Sequence, residues 1–136
     1  YIQAGTPIKS SVDYLRIDGI RVQGSSDTAK AIDFLPSNNA KDARVDNCLV
    51  HGTFQYGIYI GQAASGTTSV NYITNNIVLV EGSLNTTPTA MYLYGADGSS
   101  GVTTIYVYNN AIYVLNPGTL NNYGIRLNNF TRIRIL

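Results

Sequence analysis

Catalysis needs titrating or nucleophilic side chains in company, and this chain has few. Among 136 residues there is one histidine, His51, one cysteine, Cys48, and eight acidic residues. Hydrolysis of a glycosidic bond needs two carboxyl groups roughly 5 to 10 Å apart across one sugar. Asp33 is the candidate acid, and no second carboxyl shares its repeat position. A cation-assisted lyase needs an acidic cluster plus a base to take the proton, and no such cluster occurs. His51 has no acid at matching spacing, so no His-centred triad is legible. Arg16 and Asp18 stand two residues apart, as do Arg44 and Asp46. That spacing puts each pair on one face of a strand. It reads as a surface ion-pair patch, in which each Arg keeps its Asp ionised. A lone cysteine excludes an intrachain disulfide framework and a cysteine-based zinc site. No metal and no cofactor are expected.

What must position these residues follows first from composition. Charged residues make up 12% of the chain, about half the usual share. Asn, Ser, Thr, Gly and Tyr fill the gap; eleven residues are Tyr and none is Trp. A net charge of +1 argues against a nucleic-acid binder working through a basic field. Glu occurs once, and helix-forming stretches are absent, which argues against a helical bundle. No apolar run has the length of a membrane span.

Internal repetition then decides the architecture. Ile17-Asp18-Gly19-Ile20-Arg21-Val22, Val45-Asp46-Asn47-Cys48-Leu49-Val50, Ile73-Thr74-Asn75-Asn76-Ile77-Val78 and Val107-Tyr108-Asn109-Asn110-Ala111-Ile112 share one pattern, and Ile135 would open a fifth copy. The spacings are 28, 28, 34 and 28 residues. A second pattern recurs in phase: Tyr1-Ile2-Gln3-Ala4, Ala31-Ile32-Asp33-Phe34, Gly57-Ile58-Tyr59-Ile60, Ala90-Met91-Tyr92-Leu93 and Gly124-Ile125-Arg126-Leu127. The segments alternate with period two, so one face is buried. Gly, Ser, Asn and Pro separate them. Stretches such as Gly61 to Ser69 cannot supply the crossover helix that a βαβ unit requires.

Short strands of fixed length joined by loops of variable length form a parallel β-helix. Three strands per coil are expected: first around Ile2, Ile32, Ile58, Met91 and Ile125, second around Leu15, Val45, Ile73, Val107 and Ile133, third around Val22, Val50, Val78 and Ile112. Gly19, Asn47, Asn75 and Asn109 align at the bend between second and third strands, where a left-handed backbone favours Gly or Asn. Stacked Asn side chains would also bond to neighbouring coils. Cys48, beside that bend, reads as a small buried filler.

The Ile-x-Asn-Asn and Gly-Ile-x-Ile patterns resemble the right-handed parallel β-helix superfamily, which holds pectate-lyase-like enzymes, polygalacturonase-like glycosidases and phage tailspikes. The resemblance implies an all-β, right-handed parallel β-helix of about four coils. The hexapeptide of left-handed β-helices and the Gly-Gly-x-Gly-x-Asp calcium repeat are absent; Gly95-Ala96-Asp97-Gly98 only approaches the latter. Both ends look cut, so residues 1–136 are expected to be one segment of a longer protein. Two triplets, Asn85-Thr86-Thr87 and Asn129-Phe130-Thr131, fit the N-glycosylation pattern, but an Asn/Thr-rich chain produces these by chance and they carry no weight.

Outward columns are where such a fold carries function. On the first strand the expected column is Gln3, Asp33, Tyr59, Tyr92, Arg126, with Tyr94 beside it. The resemblance associates this face with polysaccharide, and Asp33, Tyr59, Tyr92, Tyr94 and Arg126 are the candidate ligand-binding residues. The rings could stack on sugars or only stiffen the sheet. On the third strand Leu49, Ile77, Ala111 and His51, Leu79, Tyr113 make an outward face too apolar for a solvated strand. It is expected to be covered, by another subunit or by more of the same chain. The expectation is therefore a structural or binding module on an extracellular, cell or virion surface, homotrimeric like the tailspikes it resembles. Two alternatives stand beside it: a polysaccharide lyase or hydrolase with Asp33 as catalytic residue, and a capsid or filament building block whose open coil ends stack.

Overall fold

The computed structural model describes residues 2–4, 8–10, 14–25, 29–34, 42–61, 68–82, 87–94, 102–118, 121–128 and 132–136. Fifteen strands run through them in groups of three. The first group is β1 (Ile2–Ala4), β2 (Ile8–Ser10) and β3 (Arg16–Asp18). The second is β4 (Arg21–Ser25), β5 (Lys30–Phe34) and β6 (Arg44–Asp46); the third is β7 (Leu49–Thr53), β8 (Tyr56–Ile60) and β9 (Thr68–Thr74). The fourth is β10 (Ile77–Glu81), β11 (Thr89–Tyr94) and β12 (Val102–Tyr108), and the last is β13 (Ala111–Leu115), β14 (Tyr123–Asn128) and β15 (Arg132–Ile135).

Every strand pairs in parallel with the one three places along the chain. The result is three five-stranded sheets, β1-β4-β7-β10-β13, β2-β5-β8-β11-β14 and β3-β6-β9-β12-β15. They are named here sheets A, B and C. Among the described residues there is no helix, and the arrangement is consistent with a parallel β-solenoid. No helix among them is long and apolar enough to cross a membrane.

One apolar cluster joins the three sheets. Val22, Val50 and Val78 from A, Ile32, Ile58 and Met91 from B, and Val45 and Ile73 from C are each fully buried within it. Each such side chain contributes roughly 1.5–3 kcal/mol of transfer free energy. The period-two alternation explains the partition. Where burial is described, alternate residues of a strand point inward, and the same inward position repeats one group of strands later.

The bend between sheets C and A is built as its residue types require. Gly19, Asn47, Asn75 and Asn109 have φ of 67°, 53°, 57° and 55°, the left-handed region in which Gly and Asn cost least. The amide ladder belongs to the residue after each. Asn76 Oδ1 accepts from the Cys48 backbone N–H at 2.9 Å, and its Nδ2 donates to the Val45 carbonyl at 2.9 Å. Asn110 Oδ1 accepts from both the backbone N–H and the side-chain Nδ2 of Asn76, at 3.0 and 2.9 Å. Cys48 occupies the same column one group earlier, buried, with its thiol 3.0 Å from the Asp46 carbonyl. Asn110 Nδ2 donates to Tyr108 in the same way. The thiol thus stands in, weakly, for an amide, and burial pushes its pKa up.

The start of the chain differs from expectation. Ile2 pairs with Val22 and Gln3 with Gln23, so β1 opens sheet A, not B. Ile8, Lys9 and Ser10 take the anticipated place, opposite Ile32, Asp33 and Phe34. Both segments carry the same apolar-polar alternation, and alternation alone does not say which sheet a strand joins. The step from Ile8 to Ile32 is 24 residues, shorter than the 26, 33 and 34 of the later steps in sheet B. In sheet C, Ile17 opposes Val45 and Ile135 opposes Val107, as the first repeated pattern aligned them; Leu15 and Ile133, expected as strand centres, lie two residues earlier.

Candidate functional site

The outward face of sheet B gathers most of the anticipated ligand-binding residues. Lys9, Asp33, Tyr59, Tyr92 and Arg126 follow one another in register across the five strands. Tyr59 and Tyr92 lie one strand apart with ring centroids at 5.3 Å and planes within 3°. Lys30 Nζ sits 3.6 Å from the Tyr59 centroid, and the Arg126 guanidinium lies 5.3 Å from that of Tyr92. The column therefore reads cation, ring, ring, cation. Its broad ring faces are turned to each other and to the two cations, an arrangement favoured by the ring quadrupole. Tyr56 leans on both rings, at 5.5 and 5.0 Å, and Tyr94 stacks beside Tyr92 at 6.4 Å.

This geometry changes what the face can offer. Rings whose flat sides are occupied present edges and hydroxyls. Four phenols, with Arg126 exposed and the Tyr92 oxygen accepting from Asn128 Nδ2 at 3.1 Å, make a strip of hydrogen-bonding groups on an aromatic wall. Burial, followed by the nearby Tyr92 and Asp33, raises the Tyr59 pKa. Its hydroxyl therefore stays protonated, and able to donate, well into the alkaline range.

Asp33 stands at the expected register position but is only 3% exposed. Lys30, three residues earlier, reaches back and pairs with its Oδ2 at 3.2 Å. Its Oδ1 has no hydrogen-bond partner among the described residues. A carboxylate covered in this way is placed to hold Lys30 over the Tyr59 ring. The sequence showed the column but not the cover, because Lys30 lies outside the repeated pattern's outward positions.

The outward face of sheet C holds the charged patch, and its pairing departs from the anticipated one of an Arg for each Asp. Arg16 takes both carboxylates: Nη2 lies 2.9 Å from Asp18 and Nε 3.3 Å from Asp46. Arg44 instead lies over the Tyr72 ring at 4.6 Å, and Tyr72 stacks on Tyr106 at 5.2 Å. The register Arg16, Arg44, Tyr72, Tyr106, Arg134 explains this. In that column Arg16 is followed by another Arg, and Arg44 by an aromatic ring.

On sheet A, Leu49, Ile77 and Ala111 align, as do His51, Leu79 and Tyr113. Ile77 is 50% and Tyr113 59% exposed, with Leu115 beside them at 55%. His51 Nε2 accepts from Arg21 Nε at 2.8 Å. Among the described residues no three His, Cys, Asp or Glu side chains converge as a metal would require. Gly95 to Gly98, and all of both glycosylation triplets except Thr87, lie outside the described residues.

No protein-family model matches the chain, and neither a curated protein nor a solved structure matches it.

Proposed function

We propose that this chain is a binding and structural module of the right-handed parallel β-helix type, similar to the pectate-lyase-like and tailspike-like superfamily, with four full coils. It works on an extracellular, cell or virion surface and binds polysaccharide along sheet B. The observation that carries this reading is the strip of Tyr56, Tyr59, Tyr92 and Tyr94 hydroxyls flanked by Lys30 and Arg126. Aromatic residues with polar tips suit a ligand that is apolar on its ring faces and hydroxylated at its rim. The strip runs across strands about 4.8 Å apart, so successive sugars would meet successive tyrosines. The apolar face of sheet A is the docking side of the module, in a homotrimer.

Because the ring faces are occupied, binding through this strip depends on hydroxyls rather than on ring stacking. Wild type and the Tyr59→Phe, Tyr94→Phe and Arg126→Ala variants are to be compared on a panel of immobilised polysaccharides by surface plasmon resonance. Each lost hydrogen bond is worth about 1 kcal/mol, so each variant is expected to bind roughly fivefold more weakly, with unchanged circular dichroism. No binding by wild type across the panel, or full binding by all three variants, ends this reading. Cleavage of the polysaccharide, lost in Asp33→Asn, replaces it with the enzymatic one.

A further inference from the structure

A cleft of about 590 Å³ opens on the outward face of sheet C, lined by Tyr14, Arg16, Asp42, Arg44, Val70 and Tyr72. Its size falls within the roughly 300–1,000 Å³ typical of small-molecule sites. Three features of its lining are not explained by folding.

The first is Arg44. Asp18 and Asp46 have both oxygens engaged by other groups. Arg16 holds one oxygen of each, Asn47 Nδ2 donates to Asp18 Oδ1 at 2.8 Å, and the Thr74 hydroxyl donates to Asp46 Oδ1. Among the described residues Arg44 has no carboxylate partner, although it is exposed and stacked on Tyr72. The ring lies against the guanidinium, and among the described residues no anion meets its fork of N–H donors.

The second is Tyr14. It is 72% exposed and has a φ of 61°. A bulky residue in the left-handed region is an outlier that Gly or Asn would relieve, and such outliers gather at functional sites. Among the described residues its ring has no aromatic or cationic partner, unlike the stacked rings of sheets B and C.

The third is Asp42, 28 residues on and also left-handed, with a φ of 56°. Its Oδ1 accepts from the Val70 N–H at 3.3 Å. The other oxygen has no hydrogen-bond partner among the described residues.

We infer that this cleft binds a sugar ring carrying an oxyanion, either a carboxylate or a sulfate ester. Arg44 takes the oxyanion through two parallel N–H bonds, which its planar fork suits. Tyr14 offers a free ring face to the C–H side of the sugar. Asp42 accepts a ring hydroxyl. This site lies on a different sheet from the hydroxyl strip and does not depend on it.

The test is titration calorimetry with three trisaccharides of equal length, one neutral, one of uronic acids and one sulfated. At least one anionic trisaccharide is expected to bind tenfold or more tighter than the neutral one, and which one it is identifies the oxyanion. Arg44→Gln should erase that preference, and Arg44→Lys should restore it only in part, since an ammonium keeps the charge without the fork. Tyr14→Asn should weaken binding at least fivefold with thermal stability unchanged or raised, which separates lost binding from lost folding. Tyr94→Phe on sheet B should leave the preference intact. Equal binding or no binding of the three trisaccharides overturns the inference. So does a preference that survives Arg44→Gln, or one that disappears in Tyr94→Phe.

Discussion

At the scale of single residues, two adjacent asparagines do unlike jobs. Asn75 is exposed and supplies a left-handed bend; Asn76 is buried, and its amide satisfies the Cys48 N–H and the Val45 carbonyl. Asn75→Gly keeps the bend and is expected to change stability by no more than about 0.5 kcal/mol. Asn76→Ala strands two buried backbone groups, each costing about 1–3 kcal/mol. It should therefore lower stability by about 2–5 kcal/mol in urea unfolding. Equal effects of the two substitutions would refute this division of labour. The sequence displayed the repeated Asn-Asn pair and the need for a left-handed bend. It could not say which Asn turns inward, because Cys48 interrupts the ladder column with a residue that carries no amide. Arg44 was obscured for a different reason. Spacing reveals which side chains share a face, but not which of two arginines wins both carboxylates.

Among the elements, sheet A shows how a column sets its own demands. Gly24, Gly52, Val80 and Val114 succeed one another in register. Gly52 has a φ of 114°, and a Cβ there would lie 2.3 Å from the Gly24 carbonyl oxygen. A Cβ on Gly24 would fall 2.1 Å from the ring of Phe54, a fully buried core residue. Gly24 thus leaves the space that Phe54 fills, and Gly52 allows a left-handed backbone to pass close to Gly24. Gly52→Ala combines backbone strain of about 1–3 kcal/mol with overpacking of similar size. It should lower the urea midpoint by an amount equivalent to about 2–5 kcal/mol, with an unchanged m-value; a shift below about 1 kcal/mol would show that the strand accommodates the methyl. At this scale the sequence was most legible. The recurring phase of the alternation marked the inward and outward columns of β4 through β14. It failed at β1 and β2, where two short segments carry the same alternation and the step from Ile8 to Ile32 is shorter than the later steps in sheet B.

Seen as a whole, the molecule is three parallel sheets around one core, with a different chemistry on each outward face: apolar on A, hydroxyl-rich on B, cationic and acidic on C. Ile77, Tyr113 and Leu115 are each at least half exposed on sheet A, more apolar surface in one place than a solvated strand face usually carries. If that face docks copies of the chain, sedimentation velocity will give a mass near three chains. The Ile77→Glu, Tyr113→Glu double variant, which buries charge in such an interface, will then sediment as one chain with its β-sheet spectrum intact. A monomeric wild type at the same concentration rules the docking out. The three faces could be assigned from the repeat, but their function could not. What a tyrosine column offers depends on whether its ring faces are free; the repeat placed Arg126 next to Tyr92, but it did not place Lys30 over Tyr59.

The stacked tyrosines also make the fold its own optical reporter. The chain has no Trp, so its near-ultraviolet absorption comes almost entirely from Tyr. Two of its pairs, Tyr59 with Tyr92 and Tyr72 with Tyr106, hold nearly parallel rings one strand apart on two different sheets. Coupling between such chromophores depends steeply on separation and angle. These pairs therefore add to the near-ultraviolet dichroism a contribution that depends on the spacing between the third and fourth groups of strands, and a loosening there would change the spectrum without any added label.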